Sequence, residues 1–300
     1  MSKKRRSQAI AAALLLALLG ACATTGQSAL PTEQTRIWRF YRQGSADTNT
    51  LFGTIHVQDE RAFGDEKLLR ELVPRHEVLA VEIHPDSLGS PSLGNLISMT
   101  DTTLYDLLSS ADEALLDSTL RVAVGNGVES YARIQPIFVA TLLTTGNMKA
   151  DRELPLDLFV AQLGADAGLE VAGLETPTEQ IDAITAISLP EQADILIEVL
   201  HDMDGQLELS ESLIDAFARH DLPALDSLLQ MSMGDTPSGK EINRRVFGER
   251  NKVMLERILG LLERGRVFVA VGSGHLAGRG GLIDLLRRSG YRVEAVKPDL

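Results

Sequence analysis

Two histidines occupy the same place in a repeated pattern. Gly53-Thr54-Ile55-His56 follows the apolar "TLF", and Gly272-Ser273-Gly274-His275 follows "VFVAV". Both read Gly-x-x-His at the exit of an apolar strand. In open α/β sheets, ligands gather at the carboxyl ends of the strands. Glycine there lets the backbone turn tightly and lets a substrate approach. Two such loops bring two imidazoles together across a sheet. Two carboxylates sit in similar places: Glu82 ends "VLAVE", and Glu175 ends "VAGLE", where Thr-Pro stops the element. A glutamate in a continuous apolar run is costly unless it is paired, hydrogen-bonded or bound to metal. Histidine and carboxylate are the usual ligands of Zn, Mn, Co or Fe. Each residue alone reads as an ordinary structural one. The four together point to a divalent metal site.

Other patterns carry less. Gly272-x-Gly274-x-x-Ala277 loosely fits a dinucleotide fingerprint, with Glu294 at about the right distance. Only one helix and one strand follow it, however, and a nucleotide-binding unit needs several more. Glu294 also falls inside the apparent last strand. There is no HExxH, and Ser273 in "GSGH" has no Gly-x-Ser-x-Gly elbow around it. His84 lies two residues after Glu82, so a continuing strand would put both on one face. Pro85 argues that the chain turns instead. Asp59 and Glu60 either join the site or cap the next helix. Asp157 in "PLDLF" either starts a helix or orients Arg250, and the helix start is preferred. His76, His201 and His220 read as surface residues.

The elements that must position these groups follow from periodicity. "RIWRFYR" (36–42) alternates, "QGSADTN" turns, and "TLFGTIHV" returns as a hairpin partner. "DEKLLRELVPR" is a short helix ended by Pro74. "EVLAVEI" (77–83) has the apolar continuity of a buried central strand. Residues 92–147 read as helical, 156–168 as a helix with a glycine stop, and "LEVAGLET" as a strand. Residues 190–263 read as long amphipathic helices with a loop at "MGDTPSGK". "RVFVAVG" is a buried strand, "GGLIDLLRRSG" a glycine-capped helix, and "YRVEAV" a last strand. Strands alternating with helices predict an α/β fold with a central mixed sheet. Residues 35–300 read as one domain, with helical insertions at about 92–150 and 190–255.

The first residues say where the chain goes. "MSKKRR" is cationic, and "AIAAALLLALLGA" is an apolar core too short to span a membrane. Leu19-Gly20-Ala21-Cys22 resembles a bacterial lipobox. That implies a signal peptide over 1–21, cleavage before Cys22 and lipidation of that cysteine, palmitate included. Residues 22–34 read as a tether. Cys22 is the one cysteine, so no disulfide forms within a copy. No aspartate follows it as a retention signal, which favours the periplasmic face of the outer membrane over the rest of the bacterial envelope. The chain carries −13, and loss of Lys3, Lys4, Arg5 and Arg6 with the leader takes it to −17. Such a charge excludes nucleic acid as a partner. The expected partners are a membrane, through lipidated Cys22, and a peptide or small-molecule substrate.

"LFGTIHV", "LAVEIHPD", "GLETPTEQ", "GERN" and "VAVGSGHLAGRGGLIDLLRRSGYRVEAV" together resemble the TraB/PrgY/GumN family, which includes the Tiki proteins. The resemblance runs from about Arg36 to Val296. It implies a fold like the erythromycin esterases and ChaN: a central sheet with helical insertions. Tiki members are Mn- or Co-dependent proteases. The resemblance therefore implies metal-dependent peptide hydrolysis, with His56 and His275 as histidine ligands and Glu82 and Glu175 as acidic partners. One glutamate would be the base, with Glu82 preferred. Arg250 and Asn251, on a helix facing the site, would be oxyanion donors, and Gly53 and Gly272 the loop glycines. Two alternatives come with the family. One is capture of a peptide or small ligand, haem included, without cleavage. The other is an accessory role in envelope polysaccharide export.

Overall fold

The computed structural model describes residues 34–89, 91–233 and 237–296. The leader, Cys22 and nearly all of the tether lie outside the described residues. β1 (Ile37–Tyr41) and β2 (Asn49–Thr54) form the expected hairpin, with Ile37 opposite Phe52 and Phe40 opposite Asn49. β3 (Val78–Ile83), β4 (Glu170–Glu175), β5 (Val267–Gly272) and β6 (Arg292–Ala295) complete a six-stranded sheet in the order β4-β3-β5-β2-β1-β6. β4, β3, β5 and β2 run parallel, and β1 lies antiparallel to both β2 and β6. The fold is α/β, a mixed central sheet with helical insertions.

Covered faces explain the unbroken apolar runs. Side chains alternate across the sheet. Leu79, Val81, Phe52, Phe268 and Ala270 enter one core, and Val78, Ala80, Leu51, Val267 and Val269 enter the other. The first core is closed by helices from the two insertions, the second by helices from the C-terminal third.

The helices are α1 (Glu66–Leu72), α2 (Ser110–Val124), α3 (Pro136–Thr145), α4 (Leu156–Asp166), α5 (Pro177–Ile184), α6 (Leu189–His201), α7 (Met203–Ala218), α8 (Leu222–Met233), α9 (Arg250–Leu261) and α10 (Leu282–Arg288), with shorter turns between. The first insertion is more broken than its pattern predicts. Gly125, at φ 78°, ends α2 in a left-handed cap, and Pro136 starts α3 afresh. α5 and α6 open on capping boxes, Thr176 with Glu179 and Ser188 with Glu191, each with a proline in the first turn. The loop read at "MGDTPSGK" is shorter than expected. The chain is helical again over Pro237–Asn243, and a π-helical stretch, Arg244–Glu249, leads straight into α9.

Two histidines expected on the surface are covered instead, His76 buried and His220 half-buried. His76 is 8% exposed. Its ring nitrogens lie 3.1 Å from Thr50 Oγ1 and 3.0 Å from Leu72 O. His220, at φ 59°, closes the α7–α8 corner, 2.9 Å from Arg36 Nη2 and 3.6 Å from Asp65. Arg36 is itself stacked 4.0 Å from the Phe217 ring centroid. A guanidinium only donates, so His220 Nε2 must accept. Burial lowers both pKa values below 6.5, helped at His220 by Arg36. The folded chain thus resists a proton that the unfolded chain accepts, and stability is lost as pH falls below 6.5. Urea unfolding from pH 7.5 to 5.5 should show wild type losing ground to His76→Gln/His220→Asn, by up to about 1.4 kcal/mol per pH unit per histidine.

Candidate active site

The four sequence-derived residues sit at one end of the parallel strands. Thr54 on β2 lies opposite Gly272 on β5. His56 is two residues beyond the first and His275 three beyond the second. Glu82 is the next-to-last residue of β3, which pairs with β5, and Glu175 ends β4 beside Ile83. The glycines serve differently from expectation. Gly53 lies inside β2 and makes no turn; a Cβ there would come 2.5 Å from Ser273 Oγ. Glycine is needed because the second loop packs onto the first strand. Gly272 ends β5, and its N–H donates to Glu82 Oε1 at 2.5 Å.

Each histidine is held by its Nδ1. Asn251 Nδ2 donates to Gly280 O at 2.9 Å, which turns Asn251 Oδ1 towards His275 Nδ1, 2.5 Å away. Gly280, at φ 86°, takes the left-handed conformation that returns its carbonyl to α9. With the proton on Nδ1, His275 Nε2 carries a lone pair. That atom is buried, makes no hydrogen bond among the described residues, and lies 3.9 Å from Glu82 Oε1. Burial, then the charge of Arg250, holds the His275 pKa well below the ordinary 6.5. His56 Nδ1 lies 2.7 Å from Asp157 Oδ2. A carboxylate accepts the Nδ1 proton, so Nε2 is again the lone-pair atom.

Arg250 sits between the two glutamates, 4% exposed. Its Nε donates to Glu175 Oε1 and Oε2 at 2.8 and 2.9 Å. Its Nη2 reaches Glu175 Oε2 at 2.6 Å and Glu82 Oε2 at 3.1 Å. Burial alone would lower the arginine's pKa, but the two carboxylates outweigh it and raise it. Burial raises the Glu175 pKa, with Arg250 opposing. These contacts place three of the expected residues. Glu175 has both oxygens on Arg250 and lines a second cavity, not the one at His56. Arg250 and Asn251 are on the expected helix, α9, but neither lines the cavity at His56. Arg250 holds Glu82 and Glu175, and Asn251 holds His275.

The remaining candidates separate cleanly. His84 is no third imidazole: its Nδ1 accepts from Asp86 N at 3.2 Å and caps the next turn. Asp59 caps a turn through Arg61 N at 2.9 Å, and Glu60 pairs with Arg152 at the surface. His201 pairs with Asp112 on the surface, as expected. Asp157 does start a helix, but its partner is His56, not Arg250. Gln180 on α5, which sequence reasoning missed, donates to Glu82 Oε2 at 3.4 Å. Nothing in the sequence around it signals that contact. His56, Glu82, Asp157 and Gln180 all line a cavity of about 250 Å³ at the carboxyl end of the sheet.

The TraB/PrgY/gumN family model matches residues 37–295. The chain belongs to this family. It is 27% identical over 201 residues to a protein named Metalloprotease TIKI homolog from Nematostella vectensis, covering 57% of this chain and 42% of that one. It is 24% identical over 319 positions to Metalloprotease TIKI2 from Danio rerio, covering 87% and 61%. Against Metalloprotease TIKI1 from Homo sapiens it is 24% identical over 193 residues, covering 55% and 38%. The chain thus spans 38% to 61% of these relatives' lengths. No solved structure matches the chain.

The relatives' names imply a metal ion, and the donors present fit one in part. The buried His275 Nε2 lone pair suits a cation, and the Asp157–His56 pair is the usual outer support of a metal-bound imidazole. Glu175 has both of its oxygens on Arg250. Among the described residues, no three His, Cys, Asp or Glu side chains stand together as a complete metal-binding group.

Two outcomes test this geometry. Arg250→Leu strands two buried carboxylates, and unfolding by urea at pH 7.5 should show a loss of about 3–5 kcal/mol. Glu175→Gln in the same chain should recover part of it. Asp157→Ala should leave the fold intact and weaken Co(II) binding, measured by competition titration, about 10- to 100-fold.

Proposed function

We propose that the chain is a divalent-metal-dependent hydrolase acting on peptide bonds. The observation that carries this reading is the pair of imidazoles, each held through Nδ1, at the strand ends where Glu82 meets the cavity. His56 and His275 would hold the ion. Such an ion, when bound, supplies an acidic water and polarises a carbonyl. Glu82 is the group placed to take a proton from water in the cavity and deliver it to the leaving amine. Three N–H donors, from Gly272, Arg250 and Gln180, fix that carboxylate. Asp157 and Asn251 fix the rings and their tautomers, so neither histidine needs to reorganise.

The leader and Cys22 support a second part of the proposal. The domain works on a lipid tether at the bacterial cell envelope, with the periplasmic face of the outer membrane favoured. Capture of a peptide without cleavage uses the same residues and is separated by the products.

The test starts with the detergent-extracted full chain. Bound Mn, Co, Fe or Zn is expected near one equivalent, and lost in both His56→Ala and His275→Ala. A peptide pool incubated with wild type should show new termini by mass spectrometry, absent with either variant and with Glu82→Gln. Peptides retained intact would favour capture. No metal after reconstitution, or cleavage unchanged in both histidine variants, would overturn the reading.

A further inference from the structure

The cavity beside Glu82 has a composition that selects what enters it. Its walls come from separate elements: Val81 and Ile83 on β3, Leu88 in the turn after it, Met148 after α3, and Leu158 and Ala161 on α4. Among the described residues, its charged and titratable lining is Glu82, Asp157 and His56, with no lysine or arginine. A carboxylate or phosphate entering it meets like charge and gains no counter-charge. A second cavity of about 260 Å³, on the Glu175 side of Arg250, is the opposite in character. It is lined by Glu175, Glu179, Asp182, Glu249, Arg245 and Arg250 among others. The apolar lining is therefore a property of the Glu82 side and not of the whole strand end.

Size narrows the choice. Sites for drug-sized ligands measure about 300–1,000 Å³. A space of about 250 Å³ takes a side chain and its flanking backbone, not a large flat cofactor such as haem. We infer that this cavity is a specificity subsite for one uncharged apolar side chain, of leucine, methionine or phenylalanine size, next to the bond presented to Glu82. The inference rests on the peptidase reading for the meaning of that bond. The size and charge of the pocket stand without it. Each buried methylene favours binding by about fourfold, so Leu should be preferred to Ala by several tens-fold. Ala161 on α4 is 5% exposed and lines the wall; a larger residue there fills the space. Met148 is half-buried and lines the cavity.

The experiment profiles a mixed peptide library with the full chain in detergent, reading new termini by mass spectrometry. Leu, Met and Phe should be enriched at one position beside the cleaved bond, and Asp and Glu depleted there. Ala161→Leu should shift that position to Ala and Val while cleavage continues. Met148→Glu should lower turnover of apolar peptides tenfold or more, with thermal unfolding unchanged. Cleavage with no apolar position, or a preference that neither variant moves, would overturn the inference and leave the peptidase reading standing. If no peptide is cut, the peptidase reading fails, and the pocket is judged by binding of the neutral fluorophore N-phenyl-naphthylamine. Saturable binding displaced by N-acetyl-leucinamide but not by N-acetyl-aspartate, and weakened tenfold or more in Ala161→Leu, would sustain the pocket. Absent or unaffected binding would overturn it.

Discussion

A buried arginine between two buried glutamates sets the terms for everything around it. Arg250 is 4% exposed and cannot shed its charge, so it must be met by carboxylates. Glu82 and Glu175 meet it from the ends of adjacent parallel strands, and the arginine comes from a helix in another layer. Sheet and helix are thereby locked in one register. A slip of one residue in either strand would turn its glutamate to the other face and leave a charge unpaired in the core. The arrangement does not maximise stability, since an apolar replacement of such a triad is often neutral or better. It fixes position. Glu82 is held from three sides, by Gly272 N–H, Arg250 and Gln180, and the proton transfer proposed for it would need such fixing.

The same charge acts on the second histidine. Burial comes first and Arg250 second in holding His275 neutral. Asn251, the residue next to Arg250 on α9, then chooses the tautomer. One turn of helix thus delivers both the carboxylate anchor and the imidazole anchor. The π-helical stretch Arg244–Glu249 that precedes it is of the kind often found at functional sites. His56 is treated differently. It is partly open to the cavity, and a carboxylate, Asp157, holds it instead of an amide. The two rings differ in how far solvent reaches them.

Some of this was legible in the residues and some was not, for physical reasons. The repeated Gly-x-x-His and the glutamates in apolar runs were visible because burial makes each costly, and cost leaves a mark in sequence. The sheet was visible because buried parallel strands are continuously apolar. Asp157 was hidden because an acid in a helix first turn already has an ordinary explanation, the macrodipole. The division of labour between Glu82 and Glu175 was hidden because both end similar strands, and only the third dimension shows which one Arg250 occupies fully. His76 and His220 were misplaced because their neighbours in sequence are polar. Their cover comes from Thr50 and Phe268 at His76 and from Arg36 at His220, residues at least two dozen positions away. The purpose of Gly53 was hidden for the same reason: its close neighbour, Ser273, is far along the chain.

Charge balance at the strand ends draws the two sides of the site together. Three carboxylates, Glu82, Glu175 and Asp157, stand against one guanidinium, Arg250, and burial pushes the Glu175 proton affinity up in response. With the histidines neutral, the cluster carries a formal excess of two negative charges when all three acids are ionised. A divalent cation held by the imidazoles would cancel that excess where water cannot screen it. Apart from such an ion, the cavity offers an acidic side chain no lysine or arginine among the described residues that line it. An apolar wall beside an anionic floor is then a consistent design. The field that favours a cation at the histidines leaves neutral, apolar groups as the ones that enter the adjoining space without an electrostatic cost.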